Sequence, residues 1–498
     1  MSTPISASFW GSPTASKRAL LIHGLTMSSQ SWEGIARLLV AEGFFVVAPN
    51  LLGHAWRRGT DYRVSALAED LRPYFVMDTH YDVIIGHSIG GLVTLSLLPF
   101  LPKTKETTVI LLDPPFERLE TVEKEKIWFM KEIADARTAD EYMAENPAWS
   151  RGDSMLRALG IAMCDRTAVE EIFKHNTPWS FSGLLKNIPP HVKITLMVSD
   201  PKPGGLSHLE HVPREVKTKV FIGISHWIQY ECAARPPNHI KQPTHPSMST
   251  SMSASRWGSP TASKRALLIH GLTMSSQSWE GIAQLLVAEG FFVVAPNLIG
   301  HAWRQCTDPH VSTLAEDLRP YFSMDVSYDV IIGHSLGGLV TLSLLPFLPK
   351  TKETIVILLD PPLERTAEQF KEDKIRFMKE ITHVRCTDEH MAEHPAWSRG
   401  DSMLRALGVY MCDGTVVKGI FEHSGPYSFR GLLKNIPPHV KIALLMSDPE
   451  FGAICHSENV PVDVARLNVK VLDGIGHWIQ YELPKAILDE LPLPRAKL

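Results

Sequence analysis

The stretch Gly86-His87-Ser88-Ile89-Gly90-Gly91 decides the fold, and it recurs later in the chain as Gly333-His334-Ser335-Leu336-Gly337-Gly338. Each copy follows an apolar run typical of a β-strand and precedes an apolar run typical of a helix; in the first copy these are 81–85 and 92–98. Side chains at the flanking glycines would collide with neighbouring backbone, so the serine stands exposed on a very tight turn. The motif predicts a nucleophile at Ser88 and another at Ser335.

The repeated turn belongs to a duplication that spans the chain of 498 residues. Trp10–Ala36 recurs letter for letter as Trp257–Ala283, and Met1-Ser2-Thr3 recurs as Met248-Ser249-Thr250. Units of about 250 residues match the size of one enzyme domain each. We therefore predict a first domain over residues 1–235, a linker with a second N-terminus over 236–256, and a second domain over 257–498.

The two copies differ at their ends. After its last histidine the second copy continues as 478–491, an amphipathic segment that predicts a closing helix. The first copy matches only as far as Glu231 and then becomes a proline-broken run. We expect the first copy to lack the closing helix. In the alternative, the segment between the two copies is only a linker, and the first domain is complete without a closing helix.

Composition excludes several classes of function. A hydrophobic content of 44% with a net charge of −4 is typical of a globular protein and offers no basic field for nucleic acid. No stretch reaches the roughly 18 apolar residues of a membrane span, and the N-terminus contains no apolar signal segment. Of six cysteines only Cys164 and Cys412 are equivalent, which indicates a reducing compartment.

The C-terminus predicts a location. The chain ends Arg495-Ala496-Lys497-Leu498, a close variant of the Ser-Lys-Leu address that the peroxisomal import receptor reads at a free terminus. We therefore expect a peroxisomal protein whose receptor contacts Ala496, Lys497 and Leu498. If the tail is an ordinary basic end, the expected location is cytoplasmic.

Short apolar, β-branched runs alternate with helical patterns through each copy. Such runs are expected of strands buried on both faces of a parallel sheet. The predicted fold class is α/β, with a mostly parallel, doubly wound sheet in each copy. Only about 17 residues precede the first run, so a leading antiparallel hairpin is short or missing. In the first copy the predicted strands are 18–22, 44–48, 81–85, 107–112, 192–197 and 219–222.

A nucleophilic serine needs a base that takes its proton, an acid that orients the base, and donors that hold the oxyanion. His226 and His477 follow the last predicted strand, each within a Gly-x-x-His-Trp sequence, where the base of such a site is found. The oxyanion donors are predicted to be backbone amides from the loop after the first strand and from the residue after each serine. These pairs are Leu25 with Ile89 and Leu272 with Leu336.

The acid stays open between two aspartates in each copy. Asp113 and Asp360 end the strand after the serine turn, each 25 residues beyond its serine. Asp200 and Asp448 end the next strand, two residues before the usual site of the acid, where the first copy has Lys202. We favour Asp113 and Asp360. In the alternative this pair only caps a loop, and Asp200 and Asp448 orient the histidines.

Some 75 residues between Asp113 and Pro189 show helical patterning and many aromatic and methionine side chains. An insertion at this point predicts a helical cap over the serine, and its composition suits an apolar, elongated substrate, although more than half of these side chains must form the cap's own core. His54 and His301, near the predicted site, either pack or contact substrate. We expect no cofactor and no metal, because the pair His208 and His211 lacks metal-ligand spacing.

Taken together, the serine turn, the His-Gly loop at 23–24 and the Gly-x-x-His end resemble the α/β-hydrolase superfamily over nearly the whole chain. Three stretches, 16–27, 46–57 and 474–482, resemble more closely the hydrolases of fungal host-selective toxin clusters, those of AK-, AF- and ACT-toxin biosynthesis. The resemblance implies an enzyme that acts on the epoxy-decatrienoic acyl core of these toxins and contributes to virulence on plants. The tandem duplication departs from the single-copy pattern of those proteins.

The leading hypothesis is two tandem α/β-hydrolase domains, each with a Ser-His-Asp triad, that act as an esterase, a thioesterase or an acyl transferase. Two alternatives stay open. One is a cofactor-free lyase or cyclase that uses the histidine and the oxyanion donors without an acyl-enzyme. The other is a chain in which one copy is a non-catalytic partner of the other.

Overall fold

The computed structural model describes residues 5–118, 121–135, 137–200, 210, 212–233, 252–322, 326–423, 427–462 and 464–491. The chain divides into two compact units, Met1–Ser247 and Met248–Leu498. Most of the predicted linker and the whole of the C-terminal tripeptide lie outside the described residues. The last residues of the predicted linker, from Ser253 onward, already belong to a strand of the second unit.

A mostly parallel sheet forms the centre of the first unit. Its strands are β1 (Ile5–Trp10), β2 (Lys17–Ile22), β3 (Phe44–Pro49), β4 (Val83–His87), β5 (Thr107–Leu112), β6 (Val192–Ser199) and β7 (Lys217–Phe221). They pair in the order β1-β3-β2-β4-β5-β6-β7, with only β1 antiparallel to its partner. The carboxyl ends of the parallel strands therefore meet at one edge of the sheet, where a site is expected.

Within the described residues, one strand precedes β2. Residues Ile5–Trp10 form β1, in register with β3 through the pair Ala7 and Pro49. The sequence analysis did not identify this strand, because Ser6 and Ser8 interrupt the apolar residues that mark a strand buried on both faces. The strand before the serine turn begins two residues later than predicted and extends to His87.

Helices connect the strands and build the cap. The connecting helices are α1 (Glu33–Ala41), α2 (Val64–Asp70) and α3 (Ile89–Leu97). The cap lies between β5 and β6 and consists of α4 (Val122–Asp135), α5 (Ala139–Glu145), α6 (Arg151–Ala162) and α7 (Arg166–His175). A final helix, α8 (Ile228–Ala233), follows β7. The predicted helical insertion is thus present.

Polar residues set where the cap helices begin. Thr138 and Ser150 each form a capping box with an acidic residue three positions later, at α5 and α6. Asp165 accepts a hydrogen bond from the Thr167 amide at the start of α7. These caps satisfy amides that have no partner within the helix, so each cap helix starts at a defined residue.

The second unit repeats this architecture. Its strands pair in the order β8-β10-β9-β11-β12-β13-β14, with β8 antiparallel and the others parallel. The strands are β8 (Ser253–Gly258), β9 (Lys264–Ile269), β10 (Phe291–Pro296), β11 (Val330–His334), β12 (Thr354–Leu359), β13 (Val440–Ser447) and β14 (Leu467–Leu472). The helices are α9 (Glu280–Ala288), α10 (Val311–Leu318), α11 (Leu336–Leu344), the cap helices α12 (Ala367–Thr382), α13 (Thr387–Glu393), α14 (Arg399–Tyr410) and α15 (Gly414–His423), and the terminal α16 (Ile479–Glu482) and α17 (Pro484–Leu488).

The closing segment of the second unit is two short helices rather than the single helix predicted. Leu483 leaves the helical conformation at φ −142° between α16 and α17, because Pro484 disfavours a helical residue before it. Ile479, Ile487 and Leu491 are nevertheless buried in the core cluster of this unit. The described part of the first unit ends at Ala233, inside the equivalent region.

Candidate active site

Ser88 stands on a tight turn between β4 and α3. Its backbone is strained, at φ 54° and ψ −125°, and its amide donates to the carbonyl of Leu112 at 2.9 Å. A Cβ on Gly86 would lie 2.5 Å from the carbonyl oxygen of Gly90, and one on Gly90 would lie 2.3 Å from that of Ile22. Glycine is therefore required at both positions, as the sequence predicts.

The second unit contains the same turn. Ser335 adopts φ 52° and ψ −121°, and a Cβ on Gly337 would lie 2.2 Å from the carbonyl oxygen of Ile269. Both serines are only 5–6% exposed, so each lies buried on its turn and not exposed as the sequence analysis expected. The two turns thus place a serine in the same unusual conformation at the carboxyl edge of each sheet.

Each candidate base pairs with a buried aspartate. His226 Nδ1 lies 2.7 Å from Asp113 Oδ2, and His477 Nδ1 lies 2.7 Å from Asp360 Oδ2. Both carboxylates are completely buried, and both aspartates adopt a left-handed backbone, with φ 44° and φ 43°. When Nδ1–H donates to the carboxylate, the neutral ring keeps Nε2 as the nitrogen that can take up a proton.

The alternative aspartates, Asp200 and Asp448, accept hydrogen bonds from backbone amides. Asp200 accepts a hydrogen bond from the Gly223 amide at 3.0 Å. Asp448 accepts from the amides of Gly474, at 2.7 Å, and Glu450, at 2.9 Å, and these bonds lower the pKa of the Asp448 carboxyl. Asp113 and Asp360, rather than this pair, lie against the histidines. Asp200 and Asp448 instead shape the turn that precedes each histidine.

Hydrogen bonds to Asp360 favour its charged form. Burial raises the pKa of this carboxyl, but the hydrogen bond and charge of His477 and the amides of Ile454 and Cys455, at 2.9 and 3.1 Å, outweigh burial and leave the pKa below its ordinary value. In the first unit the Ser199 hydroxyl donates to Asp113 at 2.6 Å. Residues 201–209, which correspond to the loop around Ile454, lie outside the described residues.

The histidine inside each serine turn bonds to the backbone of the candidate base. His87 Nε2 lies 3.0 Å from the backbone oxygen of His226, to which it donates, and the two rings are 4.6 Å apart. Burial, followed by the nearby charge of His226, lowers the pKa of His87 well below its ordinary value. A neutral His87 therefore holds the loop of the candidate base beside the serine. His334 and His477 repeat the contact at 3.0 Å.

The His-Gly loop after the first parallel strand approaches the serine closely. A Cβ on Gly24 would lie 3.1 Å from the Cβ of Ser88, so only glycine lets the loop pass. Leu25 follows this glycine, and Ile89 is the first residue of α3, where a helix has no carbonyl for the amide. Leu272 and Leu336 occupy the same positions in the second unit, where Gly271 lies equally close to Ser335.

Two further histidines, His23 and His54, hold this loop. His54 Nδ1 donates to the Leu52 carbonyl at 3.1 Å, and its Nε2 accepts from the Thr26 amide at 3.0 Å. Burial lowers the pKa of His54 to about 4. Because both ring nitrogens are satisfied by backbone, His54 and its counterpart His301 pack rather than face substrate.

A glutamate that the sequence analysis missed supports the loop of each base. Glu231 accepts the Ser225 amide at 3.1 Å and the Ser225 hydroxyl, and Glu482 accepts the Gly476 amide at 2.7 Å. The sequence did contain a signal for this glutamate, because both copies have glutamate at this position, as Glu231 and Glu482. A buried cap arginine, Arg157, was missed in the same way, although it too has a counterpart, Arg405, in the second copy.

A cavity of about 690 Å³ lies beside His477 in the second unit. Its wall contains both aromatic and charged side chains, whereas the composition of the cap was expected to suit an apolar, elongated substrate. In the first unit, Trp149, Phe173 and Trp179 are buried within the cap, so they belong to its core. The cavity is lined by Glu372, Ile375, Arg376, Phe377, Lys379, Glu380, His383, Arg385, His390, Glu393, His394, Trp397, Arg405, Phe451, Gly452, Gly476, His477, Trp478 and Glu482.

Among the described residues, no group of three or more His, Cys, Asp or Glu side chains is arranged to hold a metal ion. None of the described helices is both long and apolar enough to cross a membrane. The pair His208 and His211 lies outside the described residues.

The fold and the serine turn define an α/β enzyme architecture with a helical cap over the carboxyl edge of the sheet. The chain belongs to the alpha/beta hydrolase family, whose model matches residues 19–241 and 266–490. Both units are covered by this match. The expected superfamily and fold class are therefore confirmed.

Curated relatives match shorter stretches. An uncharacterised protein of Mycobacterium tuberculosis is 36% identical over 95 residues, 18% of this chain and 28% of that protein. The lipase LipV of Mycobacterium tuberculosis is 34% identical over 110 residues, 20% of this chain and 39% of that protein. The chain thus spans less than two fifths of the length of these relatives.

Solved structures of similar proteins include hydrolases of several kinds. One is a thioesterase domain from the curacin biosynthetic pathway, 19% identical, with a TM-score of 0.39 over 48% of this chain and 94% of that one. Another is an esterase from Exiguobacterium antarcticum, 15% identical, with a TM-score of 0.40 over 48% of this chain and 93% of that one.

Proposed function

We propose that each unit is a serine hydrolase that cleaves a carboxylic ester or thioester. The observation that carries the proposal is the buried His–Asp pair at 2.7 Å, which occurs beside a strained serine in both units. In this assignment Ser88 and Ser335 are the nucleophiles. His226 and His477 are the bases, and Asp113 and Asp360 orient them.

In the proposed reaction, Ser88 Oγ attacks the carbonyl carbon while His226 takes the hydroxyl proton. The oxyanion that forms accepts hydrogen bonds from the amides of Leu25 and Ile89. Its collapse breaks the bond to the alcohol or thiol, which leaves with the proton from His226. Water then attacks the acyl-serine with His226 again as base, and the carboxylic acid is released. Asp113 stabilises the imidazolium at each stage.

For the acyl part of the substrate we propose a medium-length polyunsaturated group of the decatrienoic type, used in toxin biosynthesis and virulence on plants. The resemblance of stretches 16–27, 46–57 and 474–482 to toxin-cluster hydrolases supports this choice. A strain that lacks the gene should accumulate an acyl ester or thioester of this chain length in mass spectra of its metabolites. An unchanged metabolite profile would contradict the proposed substrate.

We also propose that the protein acts in peroxisomes, through binding of Ala496, Lys497 and Leu498 by the import receptor. A fluorescent protein that carries the last dozen residues should enter peroxisomes, and deletion of this tripeptide should leave it diffuse. A diffuse signal from the intact tail would contradict the proposed address and favour the cytoplasm.

The serine mechanism is tested in the full chain with Ser88→Ala, Ser335→Ala and the double variant. Each single variant should retain the turnover of the other unit on a p-nitrophenyl ester, and the double variant should lose at least about a thousandfold in kcat. A fluorophosphonate probe should label the parent and not the double variant. Circular dichroism should show all variants folded.

Other outcomes separate the alternatives. Turnover that persists in the double variant would contradict the serine mechanism and favour a lyase or cyclase without an acyl-enzyme. If one single variant alone loses all turnover, the other unit is a non-catalytic partner.

A further inference from the structure

Arg157 of α6 joins the cap to the loop beside Ser88. The side chain is completely buried, and its Nη1 donates to the backbone oxygen of Thr26 at 2.8 Å and to the Thr26 hydroxyl at 2.9 Å. Its Nη2 donates to the Glu132 carboxylate of α4. The guanidinium also lies over the ring of Trp227, 4.2 Å from the centroid, directly after the candidate base.

The second unit repeats the arrangement independently. Arg405 Nη1 donates to the Thr273 backbone oxygen at 2.6 Å and to its hydroxyl at 2.9 Å, and Nη2 donates to Glu380. The guanidinium lies 4.5 Å from the ring centroid of Trp478. Two copies that differ elsewhere in the cap thus keep the same buried contact.

The loop that Arg157 holds is strained and closely packed. Thr26 adopts φ 55°, a conformation that a β-branched residue rarely takes. The Thr26 hydroxyl donates to the Leu25 carbonyl at 2.7 Å, so a chain of hydrogen bonds runs from the guanidinium to Leu25. A Cβ on Gly160, also in α6, would lie 2.9 Å from the Thr26 oxygen. The cap helix therefore sits directly on this loop.

We propose that Arg157 and Arg405 are positioning residues, which orient the amides of Leu25 and Leu272 in the oxyanion hole and so make catalysis depend on a seated cap. The inference rests on the proposed serine hydrolase function. Removing the guanidinium frees the strained loop to relax, so transition-state stabilisation falls while ground-state binding of the ester does not. A lysine, with a single point charge, cannot donate to Glu132 and Thr26 in the same fork geometry.

The test uses the full chain with Ser335→Ala, in which only the first unit turns over. Removing Arg157 alone leaves Glu132 buried without its partner, which endangers folding. The decisive variant is therefore Glu132→Met with Arg157→Met, because apolar residues of similar volume replace a buried ion pair at little cost in stability. The matched control is Arg151→Met in the same helix, which breaks a half-exposed ion pair with Asp140 and leaves Thr26 untouched.

We expect the double methionine variant to remain folded and to lose about ten- to hundredfold in kcat, with KM unchanged within about twofold. Rates are expressed per site titrated with the fluorophosphonate, so a smaller active fraction does not mimic the effect. The affinity for a trifluoromethyl ketone, which mimics the oxyanion, should fall in parallel with kcat/KM. Arg157→Lys should recover only part of the loss, and Arg151→Met should match the parent.

Two results would overturn the inference in different ways. A folded double methionine variant with unchanged kcat and ketone affinity, beside an active parent, would contradict the positioning role alone. A parent chain without serine-dependent turnover would overturn the proposed function and this inference with it.

Discussion

Among the non-glycine residues with a left-handed backbone, three in each unit belong to the proposed triad or to the loop beside the serine. In the first unit these are Thr26, Ser88 and Asp113, with φ of 55°, 54° and 44°. Each such conformation costs about 1–3 kcal/mol and persists only where the surroundings hold it. All three amides are held by hydrogen bonds, to a histidine ring or to the carbonyl of a neighbouring strand. Strained backbone thus occurs at the proposed nucleophile, at the proposed acid and in the loop beside the serine, and it occurs at Ala55 and Trp56 as well. The counterparts are Thr273, Ser335 and Asp360.

The contacts of the aspartates predict a ranking of two substitutions. In a chain with Ser88→Ala, Asp360→Asn should lower kcat at least about a hundredfold, because the charge that orients and stabilises His477 is lost. Asp448→Asn should cost much less, since that carboxylate bonds only to the turn before the histidine. Steady-state kinetics on a p-nitrophenyl ester decides the order. The reverse ranking would assign the acid to Asp448.

A buried glutamate in each unit predicts a dependence of stability on pH. Glu33 and Glu280 accept hydrogen bonds from the indoles of Trp10 and Trp257, at 2.7 and 2.9 Å. Burial raises the pKa of each from 4.5 to about 7. Because the folded pKa exceeds the unfolded one, the stabilisation is complete below about pH 4.5 and is lost as the pH rises through 7.

Glu33→Gln with Glu280→Gln should remove this loss, which amounts to about 3 kcal/mol for each group. Denaturant unfolding should show the double variant more stable than the parent at pH 8 and similar to it at pH 5. An equal change in the free energy of unfolding between these two pH values in both proteins would refute the assignment.

The helical caps of the two units differ at one residue beside the buried arginine, which is Arg157 in the first unit and Arg405 in the second. In the first unit the Tyr142 hydroxyl donates to Glu132 at 3.1 Å. The second unit has His390 at this place, and its Nε2 is buried without a hydrogen-bond partner among the described residues. Burial lowers the pKa of His390 to about 3, so the ring is neutral. The Glu380 carboxylate is correspondingly more exposed, 17% against 4% for Glu132.

His390→Tyr should therefore stabilise the second unit by about 1 kcal/mol, because the new hydroxyl satisfies Glu380 and the unpaired nitrogen disappears. Tyr142→Phe, the matched change in the first unit, should lower the stability of that unit by a similar amount, because Glu132 loses the hydrogen bond from the hydroxyl. Thermal unfolding of the full chain measures both. A lower melting temperature for His390→Tyr would show that the second cap cannot accept the tyrosine of the first.

The two units repeat the proposed catalytic geometry, but their helical caps differ in sequence. The His–Asp distance is 2.7 Å in both units. Trp128 and Tyr142 of the first cap correspond to Arg376 and His390 in the second. The two caps therefore differ at these positions, whereas the serine, histidine and aspartate of the proposed triad are the same in both units.

The closing segment predicts unequal stability of the separate halves. Ile487 and Leu491 are buried in the core of the second unit, and the first copy has no equivalent after Cys232. Each such side chain contributes about 1.5–3 kcal/mol when fully buried. Residues 1–247 expressed alone should thus melt well below residues 248–498. Ile487→Ala with Leu491→Ala should bring the second half towards the first, and equal melting temperatures of the unmodified halves would refute the argument.

The amino-acid sequence alone was enough to predict the duplication, the α/β class, six of the seven strands of the first unit to within two residues, and the serine turn. These features depend on local patterns: apolar runs, and glycines where any Cβ would meet backbone within 3 Å. The same patterns missed β1, whose serines interrupt the run, and the break at Leu483. Strand β1 lacks the continuous apolar run by which the other strands are identified. The break at Leu483 follows from Pro484, a local signal that apolar periodicity does not register.

Which aspartate lies against each histidine could be seen only in the folded chain, because Asp113 and Asp200 both end parallel strands and look alike in sequence. The folded chain also showed the contacts of Arg157 with Thr26 and of Glu231 with Ser225. Arg157 is 131 residues from Thr26 along the chain and reaches it only when the cap is seated on the sheet. Contacts over such separations are set by packing of complete elements, which no local pattern encodes.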